Sequence, residues 1–402
     1  MSPFDDPRTL ERFARLAVGF AANVQPGQVV QVKAEVGKET VARAIATEAY
    51  RAGAKYVDVE YFDLHVKRAR LEHAPEETLD WVPGWLGAKL LALSDAHAAR
   101  IALSGPAAPR LLEDIDPALS GKDQLPALKE TGGVVNARTT NWTILPCPTQ
   151  PWAEYVHPDL PPDAAWARLG KQLLHVCRLD EADPVAAWRE RASVLVGAAE
   201  RVTRRRFDAV RFRGDRTDLR VGLLPTSTWI AAQFETVDQI AHMPNLPSEE
   251  IFCSPDPERV DGVARATKPL VLGGNVIRGL EVEFDRGVAV RIDADEGADV
   301  LRGYAAKDPG AARLGEVALV DGDGRIGRLD TVFYDTLLDE NAASHVALGN
   351  AYAFGAGKAD ADRLNRSVIH VDFMIGTDVM EVDGLTAAGE AVPILRGGAW
   401  QL

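Results

Sequence analysis

Apolar residues recur at helical spacing over residues 8–24, where Leu10, Phe13, Leu16, Ala17 and Phe20 share one face. Pro26 and Gly27 break that run, and residues 29–32 read as a buried strand. The pattern then alternates. A helix is expected over 38–52, ending at Gly53, and a strand over 56–61. A helix near 86–97 precedes a strand over 99–104, and a further strand falls near 143–146. Helical patterns at 163–178 and 184–205 close this half. Such alternation predicts a mostly parallel sheet covered by helices.

After about residue 206 the texture changes. Residues 207–214 and 218–224 alternate around a charged turn. Short β-like runs follow at 271–272, 280–284, 288–292 and 317–320, separated by Gly and Asp turns such as Asp321-Gly-Asp-Gly324. A helix is expected over about 339–352 and a last strand over 367–374. The fold class predicted is therefore α/β plus α+β: an N-terminal α/β domain over 1–205, then a mixed or antiparallel sheet region over 206–402. No internal repeat or low-complexity tract interrupts either part.

Length and composition agree with two globular cores. The 402 residues are 46% hydrophobic and 26% charged. The net charge of −14 disfavours nucleic acid and anionic membranes as partners. The dense basic cluster Arg201, Arg204, Arg205 and Arg206 ends a helical pattern, where cations complement the helix dipole. Cys147, Cys177 and Cys253 are far apart and form no CxxC, so each reads as a buried small residue in a reducing compartment. The acidic, polar start MSPFDDPRTLERF is no signal peptide, and no run of about 18 apolar residues exists. A cytoplasmic location is expected.

The candidate chemistry lies in the second half. His65, His73, His97, His157, His175 and His242 have no metal-spaced partner. On the expected helix, Asn341, His345 and Tyr352 share a face; taken alone, His345 reads as a satisfied core histidine. His370 and Asp372 leave the same face of an otherwise apolar strand. They could satisfy one another or share a third object, of which a divalent metal is the simplest. Glu316 sits at the mouth of the apolar run 314–320, a place that also suits a plain edge residue. Ser248, Glu249 and Glu250 could simply open a helix. Because neighbouring side chains diverge, one of Glu249 and Glu250 would bind a metal and the other would do something else.

Imidazoles and carboxylates without thiolate suit a hydrolytic Zn, Co or Mn site. Three carboxylates with two imidazoles exceed the ligand set of one catalytic zinc and suit two ions sharing a carboxylate. There is no HExxH, GxSxG or P-loop, and Gly273-Gly-Asn275 reads as a turn.

Four stretches carry a family resemblance: 245–252 (NLPSEEIF), 314–320 (LGEVALV), 340–349 (ENAASHVALG) and 369–376 (IHVDFMIG). In that order they resemble the M29 family of metallopeptidases, the thermophilic aminopeptidase T group, and the likeness covers nearly the whole chain. The resemblance implies two divalent metals on Glu250, Glu316, His345, His370 and Asp372, with Tyr352 in a catalytic role. It implies a homodimer that releases N-terminal residues from peptides through a metal-activated water. Glu249 is a candidate for proton transfer or for recognition of the substrate amine. The alternatives are another dinuclear amidase or phosphoesterase, and a non-enzymatic α/β binding protein with a structural metal.

Overall fold

The computed structural model describes residues 2–123, 125–214 and 216–402. These form two compact units. Unit 1 comprises residues 1–190, 233–248 and 333–337, and unit 2 comprises 191–232, 249–332 and 338–402. No described helix is long and apolar enough to cross a membrane.

Unit 1 is built on a four-stranded parallel sheet: β1 (Val29–Glu35), β2 (Tyr56–Phe62), β3 (Ala99–Ser104) and β4 (Asn141–Pro146), in the order β2-β1-β3-β4. Helix α1 (Glu39–Arg51) connects β1 to β2. Its Val41, Ala42, Ile45 and Ala49 recur on one face and are buried, as a helix packed on a sheet requires. The first helical run spans Pro7–Leu16 and continues as a wider turn through Ala21.

Strand order reverses between β1 and β3, the place where open parallel sheets take ligands at their carboxyl ends. Here a segment of unit 1 itself fills that place. Gly105 N donates to Asp335 Oδ2 at 2.8 Å and Ser104 Oγ to Asp335 Oδ1 at 3.3 Å. Trp152 Nε1 donates to the Phe333 carbonyl at 2.6 Å, and the Tyr155 and Tyr334 rings lie 4.6 Å apart.

Unit 2 holds an eight-stranded antiparallel sheet and a separate five-stranded one. The latter carries β5 (Glu250–Cys253), β6 (Leu314–Val320), β7 (His345–Gly349) and β8 (His370–Met374), in the order β8-β7-β6-β5, with Ile230–Ala231 beyond β5. The helix Pro184–Arg205 spans the residues expected for it.

One expectation fails, and one alternative reading falls with it. The helix read over about 339–352 is only the short helix Thr336–Glu340, and His345 opens strand β7 instead. Asn341, His345 and Tyr352 therefore share no helix face. Helix-favouring Ala342 and Ala343 gave the local pattern, but pairing of 345–349 with β6 and β8 decides the conformation. Likewise Ser248, Glu249 and Glu250 open no helix, because Glu250 is the first residue of β5.

Where β7 meets β8, Gly349 has φ +104°, and a Cβ there would lie 2.2 Å from the Ile369 carbonyl oxygen. Backbone strain and overpacking together should cost Gly349→Ala about 2–5 kcal/mol. Gly303, in the helix Ala298–Ala305, would place a Cβ in open space, and Gly303→Ala should be neutral or stabilising. Urea unfolding of the two variants checks this, and equal losses would contradict the close approach. In unit 1, His242 is buried beside Trp142 and Phe234, and its Nε2 has no hydrogen-bond partner among the described residues. Burial lowers its pKa to about 4, against about 6.5 in an unfolded chain. As pH falls from 6.5 towards 4 the unfolded chain takes up the proton first, so stability held above 6.5 is lost, by about 3 kcal/mol at most. Unit 1 should lose less stability between pH 7 and 4.5 in His242→Phe than in the unaltered protein; equal losses would rule out a buried neutral imidazole.

Candidate metal centre

The antiparallel register places the chemistry-bearing residues. Ala318 pairs with both Phe252 and His345, Glu250 with Val320, Ala347 with both Glu316 and Asp372, and Gly349 with His370. Directly opposed residues share a face and side chains alternate along each strand. One face of the sheet thus carries Glu250, Glu316, His345, His370 and Asp372. The other carries Ile251, Cys253, Val317, Leu319, Val346, Leu348, Val371 and Phe373, all buried. The apolar face ties the strands to a core and so fixes the polar one. Ala318, Ala347 and Gly349 are small, which leaves room for the longer side chains to converge above them.

They converge on Glu316. His345 Nε2 lies 2.9 Å from Glu250 Oε2 and 3.7 Å from Glu316 Oε1. His370 Nε2 lies 3.6 Å from Glu316 Oε2 and 3.4 Å from Asp372 Oδ1. The ligand atoms of Glu250, Glu316 and His345 fall within 4.8 Å of one another, as do those of Glu316, His370 and Asp372. Both groups include Glu316, one carboxylate oxygen facing each imidazole.

Both imidazoles are oriented from behind. His345 Nδ1 lies 3.0 Å from the Ala343 carbonyl and His370 Nδ1 2.8 Å from that of Asn350. A carbonyl only accepts, so each Nδ1 carries the proton and each Nε2 faces the carboxylates. With a neutral imidazole, the Nε2 lone pair would then oppose an oxygen. His345 Nε2 and the buried Glu250 Oε2 lie 2.9 Å apart, two ligand atoms facing one space.

Electrostatics points the same way. Burial drives the Glu316 carboxyl above its ordinary value, and Asp372 and Glu250 add to the rise. Glu340, buried at the end of the short helix, is raised well above its usual range by burial and then by the charges of Asp372 and Glu250. Burial alone would keep both imidazoles neutral, yet Glu250 drives His345 well above its ordinary value and Asp372 takes His370 to about 10. Against burial, His370 holds the Asp372 carboxyl below its ordinary value. Four carboxylates therefore compete for two protonated imidazoles in a buried space. The two ligand groups joined at Glu316, of imidazole and carboxylate atoms, fit a metal pair.

Tyr352 lies in the loop after β7, its ring 5.3 Å from that of His370 and 5.9 Å from that of Phe252. Glu249 is not in the cluster. It is fully buried, and its carboxylate pairs with Arg191 at 2.5 Å. Glu340 was missed by sequence reading, since an acid near the start of an expected helix has an ordinary explanation. Of the other histidines, His97 pairs with Asp238, His157 with Gln172 and His175 with Asp180.

Comparison with known proteins agrees. A family model described as thermophilic metalloprotease (M29) matches residues 6–400. Aminopeptidase T of Thermus thermophilus is 41% identical over 402 residues, covering 98% of each chain. Aminopeptidase 2 of Geobacillus stearothermophilus is 34% identical over 404 residues, again covering 98% of each. The solved structure of wild-type AmpT from Thermus thermophilus superimposes with a TM-score of 0.89 at 40% identity, covering 98% of this chain and 99% of that one. The chain belongs to the M29 family of metalloproteases.

Proposed function

We propose that this chain is a metal-dependent aminopeptidase that hydrolyses the N-terminal peptide bond of peptides, using two divalent ions that share Glu316. The observation that carries the reading is the division of Glu316 between two ligand groups, one oxygen towards Glu250 and His345 and the other towards His370 and Asp372. The names of its relatives supply the reaction class. In this reading Glu250 and His345 complete one ion and His370 and Asp372 the other, and Glu340 adds a fourth carboxylate. Mixed imidazole and carboxylate ligands take zinc or cobalt. The working form is taken as a cytoplasmic homodimer.

Such ions supply Lewis acidity towards a carbonyl oxygen and a water. The chain's own residues do the rest. The Ala343 and Asn350 carbonyls hold the two imidazoles so that Nε2 is available. A free substrate amine would bind one of these carboxylates or an ion held there, which favours attack at the first peptide bond over internal ones. Tyr352, its ring against His370, donates a hydrogen bond from its phenol to the developing oxyanion.

Removal of metal with EDTA should abolish aminopeptidase activity, and Zn²⁺ or Co²⁺ should restore it. Full activity after thorough removal would refute the mechanism. His370→Ala should lose metal and turnover while staying folded by circular dichroism; unchanged turnover would take His370 out of the site. Tyr352→Phe should lower kcat by about 10²–10³ with metal content intact. An equal loss of metal would make the phenol a ligand or a support instead. Faster turnover of phosphate esters than of aminoacyl nitroanilides would favour the phosphoesterase alternative.

A further inference from the structure

Next to the cluster, within unit 2, lies a second buried charged group with no direct place in the chemistry. Arg191, on the helix Pro184–Arg205, is 7% exposed and Glu249 is 0% exposed. Its guanidinium grips Asp321 with both ends of its fork, Nη1 to Oδ2 at 2.9 Å and Nη2 to Oδ1 at 2.8 Å. Its Nε donates to Glu249 Oε2 at 2.5 Å. Trp400 Nε1 and the Asp323 amide donate to Asp321 at 2.6 and 3.0 Å. The Glu249 amide donates to Asn341 Oδ1 at 2.6 Å.

Net stability does not account for this arrangement. Buried ion pairs repay their desolvation poorly, and apolar replacements are often as stable. Placement does account for it. Glu249 is joined by one peptide bond to Glu250, the first residue of β5, and Asp321 follows Val320, the residue paired with Glu250. Asn341 follows Glu340 and precedes His345 by four residues. The network therefore holds three separate segments: at the residue before Glu250, at the residue after Val320, and at the residue after Glu340. A strand's first residue has no ladder beyond it and would otherwise fray, whereas metal ligands need placement to about 0.5 Å.

We propose that the buried triad Glu249–Arg191–Asp321, extended by Asn341 and Trp400, is a positioning device that sets the Glu250 side of the metal centre. Glu249 is then a positioning residue and not a proton carrier. This rests on the metal reading given above.

Glu249→Gln tests it. This change removes the charge of Glu249 and leaves the two-pronged Arg191–Asp321 pair in place. The probe is Co²⁺ alone, titrated into apoprotein against a chromophoric chelator, with its visible absorption spectrum recorded. Glu249→Gln should bind one Co²⁺ about 10–100-fold more weakly and shift its absorption bands. At saturating Co²⁺ its kcat should recover. Asn341→Ala, which frees the Glu249 amide without touching the triad, should weaken the same ion in the same direction. Unchanged affinity and spectrum in folded Glu249→Gln overturn the proposal. So does a fall in kcat of about 10²–10⁴ at saturating metal with affinity intact, because that is the mark of a proton carrier. If the unaltered protein binds no Co²⁺, the metal reading itself fails and this inference with it.

Discussion

A carboxylate buried among other carboxylates cannot stay charged without a cation beside it, and Glu316 is held under that constraint. It has Glu250 and Asp372 as charged neighbours and an imidazole against each of its oxygens. Protons on His345 and His370 relieve part of the repulsion, which is why burial fails to neutralise them. A pair of divalent ions would relieve the rest. The charge that makes this face costly to fold is the charge that gives it affinity for metal.

The rest of unit 2 serves to keep the donors in place. The apolar side of the same sheet anchors the strands. Ala318 and Ala347 leave space above the polar side, and Gly349 allows β7 and β8 to meet closely at His370. Backbone carbonyls fix both imidazoles from behind, and the Arg191 network holds the start of β5. In unit 1, Asp335 fills the carboxyl end of the parallel sheet, so the usual ligand position of that architecture is taken by the chain.

The helices and strands of the first half were legible because amphipathic helices and buried parallel strands have different periods. Helix Pro184–Arg205 and strand Ala99–Ser104 stand where the pattern put them. His345 was misread as helical because both faces of β7 are buried. HVALG then shows no alternation, and the preceding alanines favour helix. His370 and Asp372 were legible because two polar residues two apart on an apolar strand must face something together. Tyr352 was placed beside the cluster by family likeness, while its real position comes from a loop and not from a helix face. Arg191 and Glu340 left no signal, since a charged residue in a helix is ordinarily solvated and only the tertiary structure buries it. The return of residues 233–248 and 333–337 to unit 1 has no local signature either.

The most direct measurement is anomalous scattering at the zinc or cobalt edge from crystals of the metal-loaded protein. The account requires two peaks in contact with one carboxylate, Glu316, the first also touching Glu250 and His345 and the second His370 and Asp372. A single peak, or two ions of which neither touches Glu316, would contradict it.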